Sequence, residues 1–344
     1  MESKIKRCLS SDILFSFDAP SNTIKKTLEE AVKNNVVLRY ANLCCADLRY
    51  VNLRDVNLKG ADLRGANLKG ADLRGANLTL ADLSNADLSD ANLSDVNLSN
   101  ANLSDANLNG ARLYNATLYR ACLNYASIDN GDLTFTNLST ANLYCAILSN
   151  ANLTSANLSL ANLIKANLNG ANLIKANLNT ASLNDASLIN VNLMEANLND
   201  ANLTNAILRN VTLNNAHLLG TKNIPFIPLS CPSEGAFIGW KKIVTYDKMN
   251  RATNFLVKLL IPEDAKRSSA TSDNCRCNKA KVLEIKNIET NENIDMVINT
   301  NYKTCVYEVG KMVYPDRFDE YRWNECSHGI HFFIDKKSAI EYEL

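Results

Sequence analysis

Between Leu38 and Leu218 an apolar residue returns at every fifth position: of 37 such centres, 36 are Leu and one is Ile128. Two residues before each centre stands Ala, except at Val36, Val51, Val56, Val96, Val191, Val211, Gly131 and Thr136. The place between them holds mostly Asn or Asp, as in Ala61-Asp62-Leu63-Arg64-Gly65. Five residues match neither the 3.6-residue turn of an α-helix nor an unbroken strand of period two. A three-residue extended piece followed by a two-residue corner does satisfy the period. Ala and Leu then point inward and the Asn or Asp between them points out.

One large and one small side chain per quintet make a narrow interior. Gly60, Gly65, Gly70, Gly75, Gly110 and Gly170 all occupy the fifth place, where a corner is expected. None of the six prolines lies within 36–220, as expected of a backbone whose N–H groups join coil to coil. The A(D/N)LXX quintet resembles the signature of pentapeptide repeat proteins, a resemblance that covers about 185 residues. It implies a mainly β fold, a right-handed four-sided β-helix with four quintets per coil. About nine coils at roughly 4.8 Å would give a rod of about 45 Å. A solenoid leaves two open ends, and each is expected to carry a cap.

Residues 1–35 read as an N-terminal strand–helix cap. Ile13–Phe17 has strand character, and Pro20, Ser21 and Asn22 open a helix with Ile24, Leu28, Ala31 and Val32 on one face. After the rod (36–220), residues 221–234 carry Pro225, Pro228 and Pro232 and read as a linker. Residues 235–344 hold most of the 14 aromatics found in the last 124 positions and read as an α+β domain. Strands are expected at 237–243, 254–261, 280–288, 295–298 and 330–334, with a turn at 289–293 and a final helix at 338–342. The stretches Leu260–Thr271 and Glu325–Phe333 resemble a domain of unknown function that follows pentapeptide repeats in large DNA viruses and some microbes. That resemblance implies no activity.

Candidate chemistry is sparse. Cys275 and Cys277, with Cys326, His328 and His331, are residue types that bind zinc, but no cysteine pair has the usual two-residue gap. Scattered thiols of a reduced domain account for them equally, and no metal or other cofactor is assigned. Cys326 or Cys305 beside His328 or His331 could make a nucleophile pair, yet nothing supplies an orienting third group. Lys266–Thr271 could hold a phosphate or simply be a solvated loop. No catalytic residue is named.

Within the rod, residues 112–147 break the pattern. Arg112, Thr117, Cys122, Ser127 and Ile147 replace Asn or Asp, and five of the rod's seven aromatics fall here: Tyr114, Tyr119, Tyr125, Phe135 and Tyr144. Four quintets per coil would set Tyr114 with Phe135 and Tyr125 with Tyr144. Exposed aromatics of this kind mark contact surfaces, and these five form the candidate interaction patch; drift at a tolerant outer place is the alternative.

Charge narrows the function classes. The chain has 36 basic and 36 acidic residues, so no footprint for nucleic acid or an anionic membrane exists. No apolar run reaches a membrane span and no signal sequence opens the chain, so a cytoplasmic protein, or a virion component if viral, is expected. A non-enzymatic scaffold that binds an unidentified protein partner fits best. Some proteins of the resembled family mimic DNA and bind type II topoisomerases. That would need an acidic rod, whereas residues 36–220 carry 12 basic and 14 acidic residues. An enzyme or metal-binding activity in 235–344 is the remaining alternative. Oligomeric state is left open.

Overall fold

The computed structural model describes residues 2–8, 10, 12–19, 22–224, 231–246, 249, 251–269, 274–299, 305–319 and 328–342. Two compact units emerge: Met1–Thr212 with Ala216–Pro225, and Leu213–Asn215 with Phe226–Leu344. Of the expected linker, Pro225 and Pro228 lie outside the described residues, as does Cys326.

In the first unit every outer residue pairs in parallel with the residue twenty positions on, from Asn42 with Asp62 to Asn202 with Lys222. Twenty residues per coil is four quintets, so the rod has four sides. The quintet 61–65 shows why the sequence must read as it does. Ala61 N–H donates to the Leu58 carbonyl (3.0 Å), Asp62 N–H to Ala41 (2.9 Å), Leu63 N–H to Asp82 (2.7 Å) and Gly65 N–H to Ser84 (2.9 Å). The one remaining amide, Arg64 N–H, donates to the Asp62 side-chain Oδ1 at 3.2 Å. All five N–H groups are bonded, which excludes proline and calls for a side-chain oxygen at the second place.

The fifth-place glycines have a different cause from the corner alone. Every corner is left-handed, and Asn85, Asp95, Leu80, Tyr125 and Lys165 adopt the same φ of about 60° as Gly65. Non-glycine residues endure this at roughly 1–2 kcal/mol each. At most of these glycines, Gly65 excepted, the preceding coil lays a side chain across the next: a Cβ on Gly60 would run into the Tyr40 ring, and one on Gly70 would sit 2.5 Å from Tyr50. The interior contains a second matched pair. A Cβ on Gly131 would meet Ile128 Cγ2 at 2.9 Å, so the one β-branched centre goes with the one Gly at an Ala place. Thr136, fully buried, satisfies its hydroxyl by donating to the Leu113 carbonyl at 2.9 Å.

Ahead of the rod, β1 (Glu2–Arg7) and β2 (Ile13–Asp18) form an antiparallel hairpin, and β1 continues onto β3 (Ala41–Asn42) through Lys6 and Arg7. The sequence reading missed β1 because its composition is charged and only Ile5 is buried. Helix α1 (Ile24–Lys33) starts one residue later than the Asn22 signal suggests, because Thr23 is the cap and accepts from Lys26 N–H. It buries Thr27, Leu28 and Ala31, while Ile24 and Val32 are only half-buried.

The second unit is a seven-stranded antiparallel sheet. Its strands are β4 (Phe237–Tyr246), β5 (Ala252–Ile261), β6 (Arg267–Ser268), β7 (Asn274–Cys277), β8 (Ala280–Asn287), β11 (Met312–Val313) and β12 (Ile330–Phe333), in the order β11-β8-β5-β4-β12-β7-β6. Strands β9 (Met296–Ile298) and β10 (Val306–Glu308) pair separately. The turn after β8 closes through Asn291 in the left-handed region and a Lys286–Asn293 bridge. One face packs Ile243, Val257, Leu259, Ile261, Val282, Ile285 and Phe332; Gly239 lets Phe332 close in, since a Cβ there would lie 2.6 Å from the ring. The other face packs Leu256 and Phe333 under helix α2 (Lys336–Glu341). That helix begins two residues before the expected Ser338, because Asp335 caps it and accepts from Ser338 N–H at 2.7 Å. Short β6, β7, β10 and β11 carry no alternating pattern and were invisible in the sequence.

Candidate functional site

The rod's outer polar groups are largely occupied with one another. Besides closing the corner amide, Asn side chains bond between coils: Asn157 donates to Asn137 (3.4 Å), Asn177 to Asn157 (3.3 Å) and Asn197 to Asn177 (3.3 Å). In the first coils Arg49, Arg64 and Arg74 each fork onto the Asp two residues before, drawing Asp47, Asp62 and Asp72 below the usual carboxylate range. Groups bonded within a coil contribute little to a partner. The places that depart from the pattern are therefore the chemically distinct ones.

At the break, Arg112, Cys122 and Ile147 offer no side-chain oxygen to the corner amide. Ser127 leaves the same gap, and Asn109, one coil back, fills it by accepting from Asp129 N–H at 2.8 Å. The aromatics that gather here are brought together in pairs. Tyr114 meets Phe135 edge-on, with centroids 5.8 Å apart at 89°, and Tyr125 meets Tyr144 at 5.6 Å and 86°. Tyr114, Phe135 and Tyr125 are each about half exposed (45%, 52% and 55%), Tyr119 is 40% exposed, and Tyr144 is half-buried. Edge-to-face pairing of this kind fixes rings that would otherwise be mobile.

The two pairs are not one patch. Tyr114 and Phe135 belong to the column of Leu113 and Leu133; Tyr125 and Tyr144 belong to that of Leu123 and Leu143, half a coil away. They mark opposite sides of the rod, and Tyr119 lies in a column between them. Sequence reasoning with four quintets per coil set the same two pairs, but it joined all five aromatics into one candidate patch, whereas position modulo twenty separates them by side. It also passed over Tyr50, Leu80 and Leu160, exposed at 68%, 54% and 62%, which sit singly at corners.

In the second unit the phosphate candidate is not available. Arg267 spends its guanidinium on the carbonyls of Pro232, Pro262, Glu263 and Ala265 and lies over the Phe237 ring; Ser268 and Ser269 are buried, and Ala270 and Thr271 lie outside the described residues. Cys275 and Cys277 share the core face with Phe332 and Ile330, while His331 pairs opposite Arg276 and faces the other way. Burial pushes the Cys277 thiol up to about 12 and raises Cys305 as well, so neither is poised as a thiolate. Among the described residues no three His, Cys, Asp or Glu side chains converge. No helix is long and apolar enough to cross a membrane among those residues.

An unexpected group is Lys241, on the core face of β4. Its Nζ donates to the His331 carbonyl at 3.1 Å, and burial lowers its pKa to about 8. The unfolded chain keeps this proton to an ordinary 10.5, so stability rises as pH climbs from 8. Cys231, held near 7 first by a hydrogen bond from Cys275, acts in the same sense up to 9, and Cys277 opposes only above that. Lys241→Met should therefore remove about 1 kcal/mol of the rise between pH 8 and 9. Both tryptophans, Trp240 and Trp323, lie beyond residue 225, so tryptophan fluorescence in urea reads this unit. An unaltered pH slope in the variant would mean that the lysine is not desolvated.

Comparison with known families places these observations. The model described as "Pentapeptide repeats (8 copies)" matches residues 34–70, 57–95, 91–130, 121–159, 161–200 and 196–222, more than half of the chain. A second model, "Family of unknown function (DUF5758)", matches residues 227–339. No curated protein matches the chain. Among solved structures, HetL of the cyanobacterium Nostoc sp. strain PCC 7120, a pentapeptide repeat protein involved in heterocyst differentiation regulation, is 30% identical. The match covers 57% of this chain and 93% of HetL, with a TM-score of 0.24. A trypsin-treated variant of QnrB1, a plasmid-mediated fluoroquinolone resistance protein, is 19% identical over 49% of this chain and 84% of its own, with a TM-score of 0.38. A pentapeptide repeat protein of the Arabidopsis thaliana thylakoid lumen is 42% identical over 25% of this chain and 57% of its own, with a TM-score of 0.21. Superpositions at this level carry no weight beyond the shared repeat.

Proposed function

The chain belongs to the pentapeptide repeat family, and from that premise we propose that it is a non-enzymatic scaffold whose rod docks a protein partner at the aromatic girdle of residues 112–147. Residues 1–35 serve as its cap, and residues 235–344 form a separate module. One observation carries the reading: most of the outer surface is polar and self-bonded, while Tyr114–Phe135 and Tyr125–Tyr144 present fixed ring pairs of which Tyr114, Phe135 and Tyr125 are exposed. Aromatics supply large contact area at low entropic expense and dominate binding hot spots. Local Arg–Asp pairing, in place of a continuous acidic stripe, supports a scaffold over DNA mimicry.

Replacing Tyr114, Tyr119, Tyr125 and Tyr144 with Ser leaves the Leu column untouched. Affinity capture from the native source should fall sharply, since hot-spot aromatics each contribute at least about 2 kcal/mol. The melting temperature should hold. Because the pairs face opposite sides, Tyr114→Ser with Phe135→Ser and Tyr125→Ser with Tyr144→Ser identify which corner is used. Undiminished capture by the folded quadruple variant would remove the girdle from consideration and direct attention to 235–344.

A further inference from the structure

We propose that Cys44 and Cys45, at the first corner of the rod's second column, form a two-thiol site for a soft, thiophilic metalloid centre such as trivalent arsenic. Their Sγ atoms lie 3.5 Å apart, and both residues are exposed. No other cysteine among the described residues is exposed: Cys231, Cys275 and Cys277 are buried, and Cys8, Cys122, Cys145 and Cys305 are half-buried.

The corner holds this pair in place. Cys44 N–H donates to Asn42 Oδ1 at 3.2 Å, and Cys45 N–H to the Arg64 carbonyl at 2.8 Å. Cys45 takes the left-handed conformation of all corner residues, with φ of 58°, which swings its side chain toward the next coil. There Gly65 leaves the space open: even a Cβ built on it would only reach ordinary contact with Cys45 Sγ, at 3.5 Å. The two sulfurs therefore converge without a covering side chain.

The spacing selects chelation over a disulfide. Neighbouring residues across a trans peptide have Cα atoms about 3.8 Å apart, short of the roughly 4.4–6.8 Å that an unstrained disulfide needs. A centre bonded to both sulfurs at roughly 2.3 Å would subtend about 100° across a 3.5 Å gap, an angle suited to a pyramidal or tetrahedral thiolate complex. Thiolates select soft centres over hard ones. With an organoarsenic(III) oxide the reaction balances without a redox partner. Two As–S bonds form, the As–O bond is lost, and the two thiol protons leave with that oxygen as water.

The test uses the reduced full-length chain and phenylarsine oxide, followed by washing with excess 2-mercaptoethanol, a monothiol that strips arsenic from single cysteines. One arsenic per chain should remain by intact mass, and 2,3-dimercaptopropanol should remove it. Cys44→Ser and Cys45→Ser should each lower retention at least tenfold with unchanged melting, because neither side chain is buried. Cys122→Ser should match the parent chain. Loss of arsenic from the parent chain during the monothiol wash would overturn the proposal. So would full retention by either single variant, since one thiol cannot chelate.

Discussion

Leu103→Arg is expected to destroy the rod's cooperative unfolding transition, with a loss well beyond 5 kcal/mol. Leu103 is fully buried, as are Leu83 and Leu123 one coil to either side, and its N–H is bonded to the Cys122 carbonyl at 2.7 Å. Removing the leucine alone leaves a cavity worth roughly 2–5 kcal/mol. The guanidinium then has no buried partner and does not deprotonate, so its desolvation adds several kcal/mol more. Each coil touches only its neighbours, which confines the primary damage but breaks the stack in two. Asp105→Arg, two residues along at an exposed corner, is the control and should stay within about 0.5 kcal/mol. Thermal melts followed by circular dichroism decide the matter; equal melting of both variants would mean that the leucines do not form the interior column.

Removing residues 1–35 should make the protein associate with further copies of itself. The first coil has no earlier coil to bond, and the amino-terminal segment takes that place. Strand β1 runs along Ala41 and Asn42, Cys8 N–H bonds the Tyr40 carbonyl, Lys25 Nζ bonds the Arg49 carbonyl at 2.5 Å, and Leu28 and Ala31 are completely buried. Without them a ring of leucines beginning at Leu38 and a row of unpaired backbone groups face water. Such an edge is a template for another chain. Light scattering of the truncated protein should show mass rising with concentration, and a constant monomer mass would refute the capping role.

Within the candidate surface, legibility depended on the kind of information required. The identities of Tyr114, Tyr119, Tyr125, Phe135 and Tyr144 stood out because they interrupt a strict pattern, and their exposure follows from their corner places. Which of them touch followed from the four-quintet coil and not from chain proximity: Tyr119 is nearer to Tyr114 in sequence than Phe135 is, yet Phe135 makes the contact. Lys241 drew no attention in a strand of mixed composition, since only the pairing of β4 with β12 brings its amine onto the His331 carbonyl. Nothing in the sequence set Cys44 and Cys45 apart; only the corner geometry brings their sulfurs within 3.5 Å.

The amino-acid sequence alone determined the rod: its extent, its inward Ala and Leu columns and its Asn or Asp outer row. Those are local consequences of a repeat in which each quintet solves the same burial and hydrogen-bonding problem. Tertiary structure alone decided the features that couple residues twenty apart or from different strands. It assigned Gly60, Gly70 and Gly75 to the coil before them, matched Gly131 to Ile128, set the two ring pairs edge to face, and drew β6, β7 and β12 into one sheet. The physical reason is that periodicity encodes which way a side chain points, whereas what it meets there depends on the register of the neighbouring coil or strand.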